Sequence, residues 1–327
     1  MSISGKKILF FSVKFFNLER DIIESIESFG GTVKYFDERP SNSKIVKGIL
    51  RLKPKLIHSR TTRYYLKILE EIYSDIFDYV LVLRGEVIPK WFLKELKVRS
   101  PKCKFVIYNW DSISNNPNFL LIKDIFDRKY SFDPKDCINY NLTLRPLFYC
   151  NDYKTIEDSK REIDVCFIGT AHSDRYEVAS KVKQKLEQNN LKPFFFFYMQ
   201  GKLVYLYKRL FDKSFKDFEY ADLSFFPLNR SETVKIISKS KCILDINHPN
   251  QTGLTIRTIE AIGAKKKIAT TNSTIQDYPF YSKENILIIN RKNPEIPKSF
   301  IDSEYKEIDI SAYQNLSIGG WIKEILS

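Results

Sequence analysis

The sequence predicts an α/β protein built as two doubly wound halves, and three observations carry that prediction. Apolar runs of five or six residues recur without polar alternation (ILFFSV at 8–13, YVLVL at 79–83, KFVIY at 104–108, DVCFI at 164–168, CILDI at 242–246), as in strands covered on both faces. Helical stretches separate these runs, the alternation expected of parallel sheets. At 327 residues, 43% apolar and 14% aromatic, the chain is long enough for two domains with sizeable cores.

The first strand (8–13) leads to a helix over 18–29 that Gly30-Gly31 stops. A strand at 32–36, a helix at 62–76, a strand at 79–83, a helix at 90–98, a strand at 104–108 and a helix at 119–126 follow. Short strands at 129–132 and 144–149 close this half. The chain then turns polar at 151–162, where Asn, Asp, Lys and Glu dominate. That predicts a linker between a first domain over 1–150 and a second over 163–327. The pattern restarts with a strand at 164–168, a Gly169-Thr170 turn and a helix over 174–188. A strand at 193–199, a helix at 231–239, a strand at 242–246, a helix at 255–264 and strands at 267–271 and 285–289 come next. The helix at 318–326 is a candidate to return to the first domain. Two such halves predict Rossmann-like domains facing a cleft.

The formal charge of +13 and pI of about 9.3 call for an anionic partner: nucleic acid, an acidic membrane surface or a phosphorylated substrate. Cys103, Cys137, Cys150, Cys166 and Cys242 are scattered singly, an odd count without a disulfide framework, which predicts a reducing, cytoplasmic setting. Met1 runs through Lys6 and Lys7 straight into a short strand, without a signal peptide's apolar core. No apolar run approaches eighteen residues, so no membrane span is expected.

The most informative segment is 251–272, QTGLTIRTIEAIGAKKKIATTN: a loop, a helix from Thr255, a short turn and a strand. A helix N-terminus offers free N–H groups and partial positive charge, which suit a nucleotide diphosphate. Gly253 lets the backbone approach that phosphate, and Arg257 in the first turn can add a bidentate contact. This segment resembles the donor-binding element of GT-B glycosyltransferases, and the order of elements is similar to small bacterial capsule and lipopolysaccharide biosynthesis enzymes of that superfamily. The resemblance implies that Glu260 accepts hydrogen bonds from the ribose hydroxyls. The alternative is that Arg257 and Glu260, three apart on a helix, form a surface ion pair. Two departures stand out: Thr252 occupies the place of a further Glu in many retaining members, and Ala264-Lys265-Lys266-Lys267 replaces their Gly-Xaa-Pro turn. Inversion is therefore the expected outcome.

A second constellation, Gly169-Thr170-Ala171-His172-Ser173-Asp174-Arg175, follows the first strand of the second half. Strand, small-residue loop and helix start make a phosphate cradle, without the spacing of a dinucleotide fingerprint. The GT-B resemblance places Arg175 against the diphosphate and His172 near phosphate or leaving group; the alternative is a capped helix beside a solvated His172. His248 follows the CILDI strand, at a carboxyl end where α/β ligands bind. No His, Cys and carboxylate cluster has metal-ligand spacing, and no Asp-x-Asp motif ends a strand. Neither a cofactor nor a divalent metal is expected, so cationic side chains and helix termini carry the leaving-group charge.

An inverting transferase needs a group to take the acceptor hydroxyl's proton. Asp111, after KFVIY, is the first candidate and Glu86, after YVLVL, the second; for either, the alternative is a turn or cap.

From Arg39 to Leu69 there is no acid, yet nine Lys and Arg are interleaved with Leu, Ile and Val. Such a segment suits an anionic leaflet. Residues 1–150 hold 26 Lys and Arg against 17 Asp and Glu, so the excess lies in the expected acceptor half. A second basic-aromatic stretch runs from Phe194 to Lys216. The expected partners are thus a nucleotide-sugar donor, a lipid-linked or oligosaccharide acceptor and the inner face of a bacterial plasma membrane. No nucleic acid is expected, because no RNA- or DNA-binding module is present. The rival readings are a GT-B-type sugar-nucleotide epimerase and a non-catalytic basic protein that binds membrane or nucleic acid.

Overall fold

The computed structural model describes residues 3–15, 17–41, 58–156, 160–212, 215 and 218–327. The chain divides into two compact units: unit 1 comprises Met1–Pro146 with Ile318–Ser327, and unit 2 comprises Leu147–Ser317.

Unit 1 runs β1 (Lys7–Ser12), α1 (Leu18–Ser28), β2 (Thr32–Asp37), α2 (His58–Glu71), β3 (Tyr79–Leu83), α3 (Lys90–Arg99), β4 (Lys104–Asn109), α4 (Asn118–Ile122), β5 (Arg128–Ser131), α5 (Pro134–Tyr140) and β6 (Thr143–Leu144). Its strands form one parallel sheet in the order β2-β1-β3-β4-β5-β6. The unbroken apolar runs are explained by burial: every residue of β3 is buried, as are Ile8–Ser12 of β1. One side of the sheet packs Phe11 edge-on to Phe92 (5.5 Å between centroids), with Tyr65 of α2 4.8 Å from Phe92.

Unit 2 opens with a helical turn, α6 (Asn151–Lys154), then β7 (Ile163–Thr170), α7 (Arg175–Gln188), β8 (Pro193–Tyr198), α8 (Lys202–Phe211), β9 (Leu223–Ser224), α9 (Arg230–Ser238), β10 (Ser240–Asp245), α10 (Ile256–Gly263), β11 (Lys267–Thr270), β12 (Ile286–Ile288), α11 (Lys298–Asp302) and α12 (Ile310–Asn315). Its parallel sheet has the order β12-β11-β10-β7-β8-β9. The order reverses between β7 and β10, which makes the loops after these two strands the switch-point loops of the unit. In unit 1 the equivalent reversal lies between β1 and β3. The last helix, α13 (Ile318–Leu326), belongs to unit 1, where buried Trp321 meets Tyr108 edge-on at 4.9 Å.

Several expected elements change. The strand expected over 144–149 shrinks to Thr143–Leu144, because Pro146 has no N–H to give a ladder; Phe148, Tyr149 and Cys150 are buried as loop. The stretch 151–162 begins as a helical turn with Tyr153 buried, and the passage between units falls at Pro146–Leu147. The helix expected over 119–126 is α4 followed by a 3₁₀ turn at Lys123–Ile125. Helix α5 was not expected; Asp133 caps it by accepting from the Lys135 N–H at 2.9 Å, with Pro134 in its first turn. All five cysteines are buried, and none forms a disulfide. No helix of the described residues is long and apolar enough to cross a membrane.

Candidate functional site

In unit 2 the switch-point loops are tied into one hydrogen-bonded cluster. Arg175, at the start of α7, donates from Nε to the Ile246 carbonyl (2.7 Å) and from Nη1 to the Thr170 carbonyl (3.3 Å). A Cβ on Gly169, near the end of β7, would lie 2.7 Å from the Phe167 ring, so the glycine makes room for that ring, while 3.4 Å to Arg175 Nη1 is an ordinary contact. Arg291 clamps the same loops: Nη1 reaches both Asp174 carboxylate oxygens (2.9 and 2.8 Å), and Nη2 reaches the Asn247 carbonyl and Oδ1 (2.7 and 2.6 Å). The Asn247 Oδ1 also accepts from Thr271 (2.7 Å), and Asn247 Nδ2 donates to the Gln251 carbonyl (2.8 Å). Asn272 Nδ2 holds the Thr252 and Gly253 carbonyls at 3.1 and 3.3 Å.

Two imidazoles meet on this framework, with the His172 and His248 rings 5.8 Å apart. His172 Nδ1 lies 3.0 Å from the Ser173 hydroxyl. Burial first, then the positive neighbours Arg175, His248 and Lys208, push the His172 imidazole down to about 3. It is therefore a neutral hydrogen-bonding group at neutral pH. His248 is exposed. Of the expected residues, Gly169, Thr170, His172, Arg175, His248 and Gly253 belong to this loop cluster. Arg175 spends two of its donors on loop carbonyls.

Thr255 is the N-cap of α10, its Oγ1 accepting from the Thr258 N–H at 3.2 Å. Thr258 Oγ1 donates in turn to buried Asp245 at 2.7 Å, fixing the helix start against the end of β10. Arg257 and Glu260 pair with each other at 2.6 Å and are 16% and 14% exposed. Tyr153 of α6 packs beside both, its phenol pushed up by burial and by Glu260. The alternative ion pair is thus realised, in buried rather than surface form. Arg257 Nε and Nη1 and Glu260 Oε2 are buried without an aligned hydrogen bond. The Lys265–Lys267 turn is not a free cationic cluster either. Lys266 donates to the Ser238 carbonyl and Lys267 to the Phe300 carbonyl, at 2.8 and 2.9 Å, and Lys265 pairs with Glu307.

In unit 1 the two candidate carboxylates share one cation. Arg84 Nη2 lies 3.5 Å from Glu86 Oε1 and 3.3 Å from Asp111 Oδ2. Glu86 is also paired with Arg39 and only 13% exposed. Asp111 keeps 32% exposure, with Oδ1 accepting from the Ser112 N–H (2.8 Å) and Asn115 Nδ2 (3.1 Å). Sequence reading missed Glu38. Its carboxylate is wholly buried after β2 and accepts from the Gly85, Val87 and Ile88 N–H groups at 3.2, 2.5 and 3.2 Å. Arg84 and Gly85 both have positive φ (81° and 69°), which turns these N–H groups inward. Burial pushes Glu38 up to about 7 despite those bonds.

Within the expected membrane stretch from Arg39 to Leu69, residues 42–57 lie outside the described residues. Of the rest, Arg60, Arg63 and Lys67 are exposed on α2. Arg39 is buried against Glu86, and Tyr65, Ile68 and Leu69 belong to the unit 1 core. The reason is that α2 must cover the sheet. Among the described residues no group of three or more His, Cys, Asp or Glu side chains is placed to hold a metal ion.

Two doubly wound parallel sheets in one chain match the GT-B architecture, and solved structures of that type match over nearly its whole length. A glycosyltransferase from Rickettsia africae is 13% identical with a TM-score of 0.58, covering 98% of this chain and 97% of its own. The UDP-GlcNAc 2-epimerase of Methanocaldococcus jannaschii, solved with UDP-GlcNAc and UDP, is 11% identical with a TM-score of 0.55, covering 98% and 99%. The UDP-GlcNAc 2-epimerase of Neisseria meningitidis, bound to UDP-GlcNAc, is 11% identical with a TM-score of 0.52, covering 98% and 99%. Neither a family model nor a curated protein sequence matches the chain. The fold is therefore that of GT-B glycosyltransferase-type proteins.

Proposed function

We propose that the chain is a nucleotide-sugar enzyme that transfers a sugar to a lipid-linked or oligosaccharide acceptor during assembly of bacterial surface polysaccharide such as capsule, O-antigen or lipopolysaccharide. One observation carries this reading: the switch-point loops of unit 2 converge beside the capped N-terminus of α10 and present His172 and His248 together. In open α/β sheets ligands bind at such a point, and a helix N-terminus suits a diphosphate. The solved neighbours with UDP or UDP-GlcNAc support the nucleotide sugar as the ligand class.

In this reading the diphosphate lies against the free N–H groups of the first turn of α10, with the Gly253 loop held open for it by Asn272. Neutral His172 donates a hydrogen bond to the departing phosphate without having to lose a proton first. Those dipoles carry the leaving-group charge, so the reaction proceeds without a divalent metal. Glu260, held by Arg257 through Oε2, turns its other carboxylate oxygen to the ribose hydroxyls. Asp111 takes the acceptor hydroxyl's proton as its oxygen attacks the anomeric carbon, and the nucleotide diphosphate leaves with the bonding pair, inverting the centre. Glu86, bound by two arginines, positions Arg84 instead. The enzyme works in the cytoplasm, at the inner face of the plasma membrane.

Sugar-nucleotide epimerisation is the second reading, favoured by the epimerases among the similar structures. One experiment separates them. Thermal stabilisation by UDP, GDP, CMP and dTDP, with and without magnesium, identifies the nucleotide. The corresponding nucleotide sugar is then incubated with the protein alone and with a bacterial lipid extract. Consumption only with the extract supports transfer, an epimer formed without it supports the second reading, and no stabilisation by any nucleotide overturns both.

A further inference from the structure

Helix α8 turns the usual pattern of a surface helix inside out. Its inward position is Tyr205, buried and 5.5 Å from the Tyr220 ring. The cations flank that inward line: Arg209 Nη1 donates to the Phe218 carbonyl at 2.8 Å, and Lys208 Nζ sits 4.6 Å above the Phe215 ring. At about 100° per residue, the opposite arc of roughly 160° is wholly apolar. Leu203, Leu206, Tyr207, Leu210 and Phe211 occupy it, each more than half exposed. Phe226, in the loop after β9, is also open to solvent. Five large apolar side chains on three turns form a patch that a soluble chain does not ordinarily leave uncovered.

We infer that α8 is a membrane-docking helix whose occupant is an anionic phospholipid surface. Charge decides the occupant. Over 202–211 the helix carries Lys202, Lys208 and Arg209 and no acid, and the first carboxylate is Asp212 at its C-cap. Lys202 and Arg209 are exposed at one edge of the apolar arc, so a second copy packed on that arc brings like charges together, whereas an anionic headgroup layer complements them. The arrangement matches a helix lying in the interface plane. The apolar arc enters the acyl boundary, Lys202 and Arg209 at its edge reach the headgroups, and Tyr207 and Phe211, 5.0 Å apart, occupy the interfacial depth that aromatic rings favour. The strand that leads into the helix is tied to the loop cluster of the same unit, the Ala171 N–H donating to the Tyr198 carbonyl at 2.8 Å. This inference deepens the lipid-linked acceptor of the proposed function: docking through α8 holds the nucleotide loops at the surface where such an acceptor resides.

The full chain is floated with vesicles of phosphatidylcholine alone and of phosphatidylcholine mixed with phosphatidylglycerol. The expected result is binding to the mixed vesicles, weakened by salt, with Leu206→Asp and Leu210→Asp each lowering the bound fraction by about tenfold. Both side chains point outward, so melting temperature and nucleotide stabilisation stay at wild-type values in each variant. Leu206→Trp provides a second readout that leaves the helix apolar, and its emission shifts to the blue on mixed vesicles. Three results overturn the inference: no binding to mixed vesicles, binding that ignores both aspartates, or a wild-type dimer that the aspartates dissociate. Vesicle binding is read without nucleotide, so its failure is distinct from failure of nucleotide binding.

Discussion

Arg84 stands between Glu86 and Asp111, its Nη2 3.5 Å from the first carboxylate and 3.3 Å from the second. It adopts a left-handed backbone (φ 81°) that a non-glycine residue takes only under constraint, and the three N–H bonds to buried Glu38 supply it. The loop after β3 is thus fixed from beneath, and its cation is aimed at the end of β4.

This arrangement gives the two carboxylates different fates on mutation. Asp111→Asn keeps an oxygen for the Ser112 N–H, so it is expected to lower the transfer rate by about 10²–10⁴ while barely moving the melting temperature. Glu86→Gln strips the full charge partner from buried Arg39 and is expected to destabilise by about 3 kcal/mol. Initial rates and melting curves on both variants check this. A rate loss confined to Glu86→Gln, at unchanged stability, would reverse the assignment.

The Arg257–Glu260 pair makes a sharper stability prediction. Arg257→Ala leaves Glu260 buried without its cation, and a loss of about 3–5 kcal/mol is expected. Replacing both, as Arg257→Met with Glu260→Leu, is expected to recover most of that loss, because no charge is then stranded. Chemical denaturation of the single and double variants measures the coupling. Nucleotide stabilisation in Arg257→Ala therefore has to be read against that variant's own unliganded melting temperature.

The strands were legible because a run such as YVLVL buries every residue, and α10 because Thr255 caps it in sequence. Helix α5 was missed although Asp133-Pro134 is a start signal, since PKDCINY has no apolar stripe. The strand expected over 144–149 failed because burial of Phe148 and Tyr149 does not require a ladder, and Pro146 denies one. Glu38 and Arg291 were out of reach for a different reason. Their partners lie at Gly85–Ile88 and at Asp174 and Asn247, and no local pattern links residues so far apart. The loops of the candidate site were legible; the arginines that hold them were not.

Glu38 makes stability depend on pH in a direction opposite to most carboxylates. Its folded value of about 7 lies above the ordinary 4.5, so the folded chain holds this proton more tightly than the unfolded chain. The cost of ionising it is absent below pH 4.5, grows through the interval and is complete above 7, reaching a few kcal/mol at about 1.4 kcal/mol per unit. Glu38→Gln is expected to flatten that decline, whatever its absolute stability, because Gln cannot ionise. Denaturation midpoints between pH 5 and 8 test it, and parallel curves for the two proteins would refute it.

His172 acts in the other direction. Its folded value of about 3 lies below the ordinary 6.5, so the unfolded chain binds the proton first. The folded state therefore loses stability as pH falls from 6.5 towards 3, and keeps it in full above 6.5. The cause is geometric: burial beside Arg175, with His248 and Lys208 nearby, leaves no room for another positive charge. His172→Gln retains a hydrogen-bond donor without a titrating ring, so it is expected to hold its midpoint better than wild type on acidification. The same reasoning fixes the catalytic signature. An imidazole that stays neutral down to acidic pH cannot produce an acid limb near 6.5 in the rate profile. His172→Gln should lower the transfer rate while leaving the shape of the profile between pH 5 and 8 unchanged. A limb near 6.5 that vanishes in the variant would mean that His172 titrates in the working enzyme, and that its role is proton transfer rather than hydrogen bonding to the leaving phosphate.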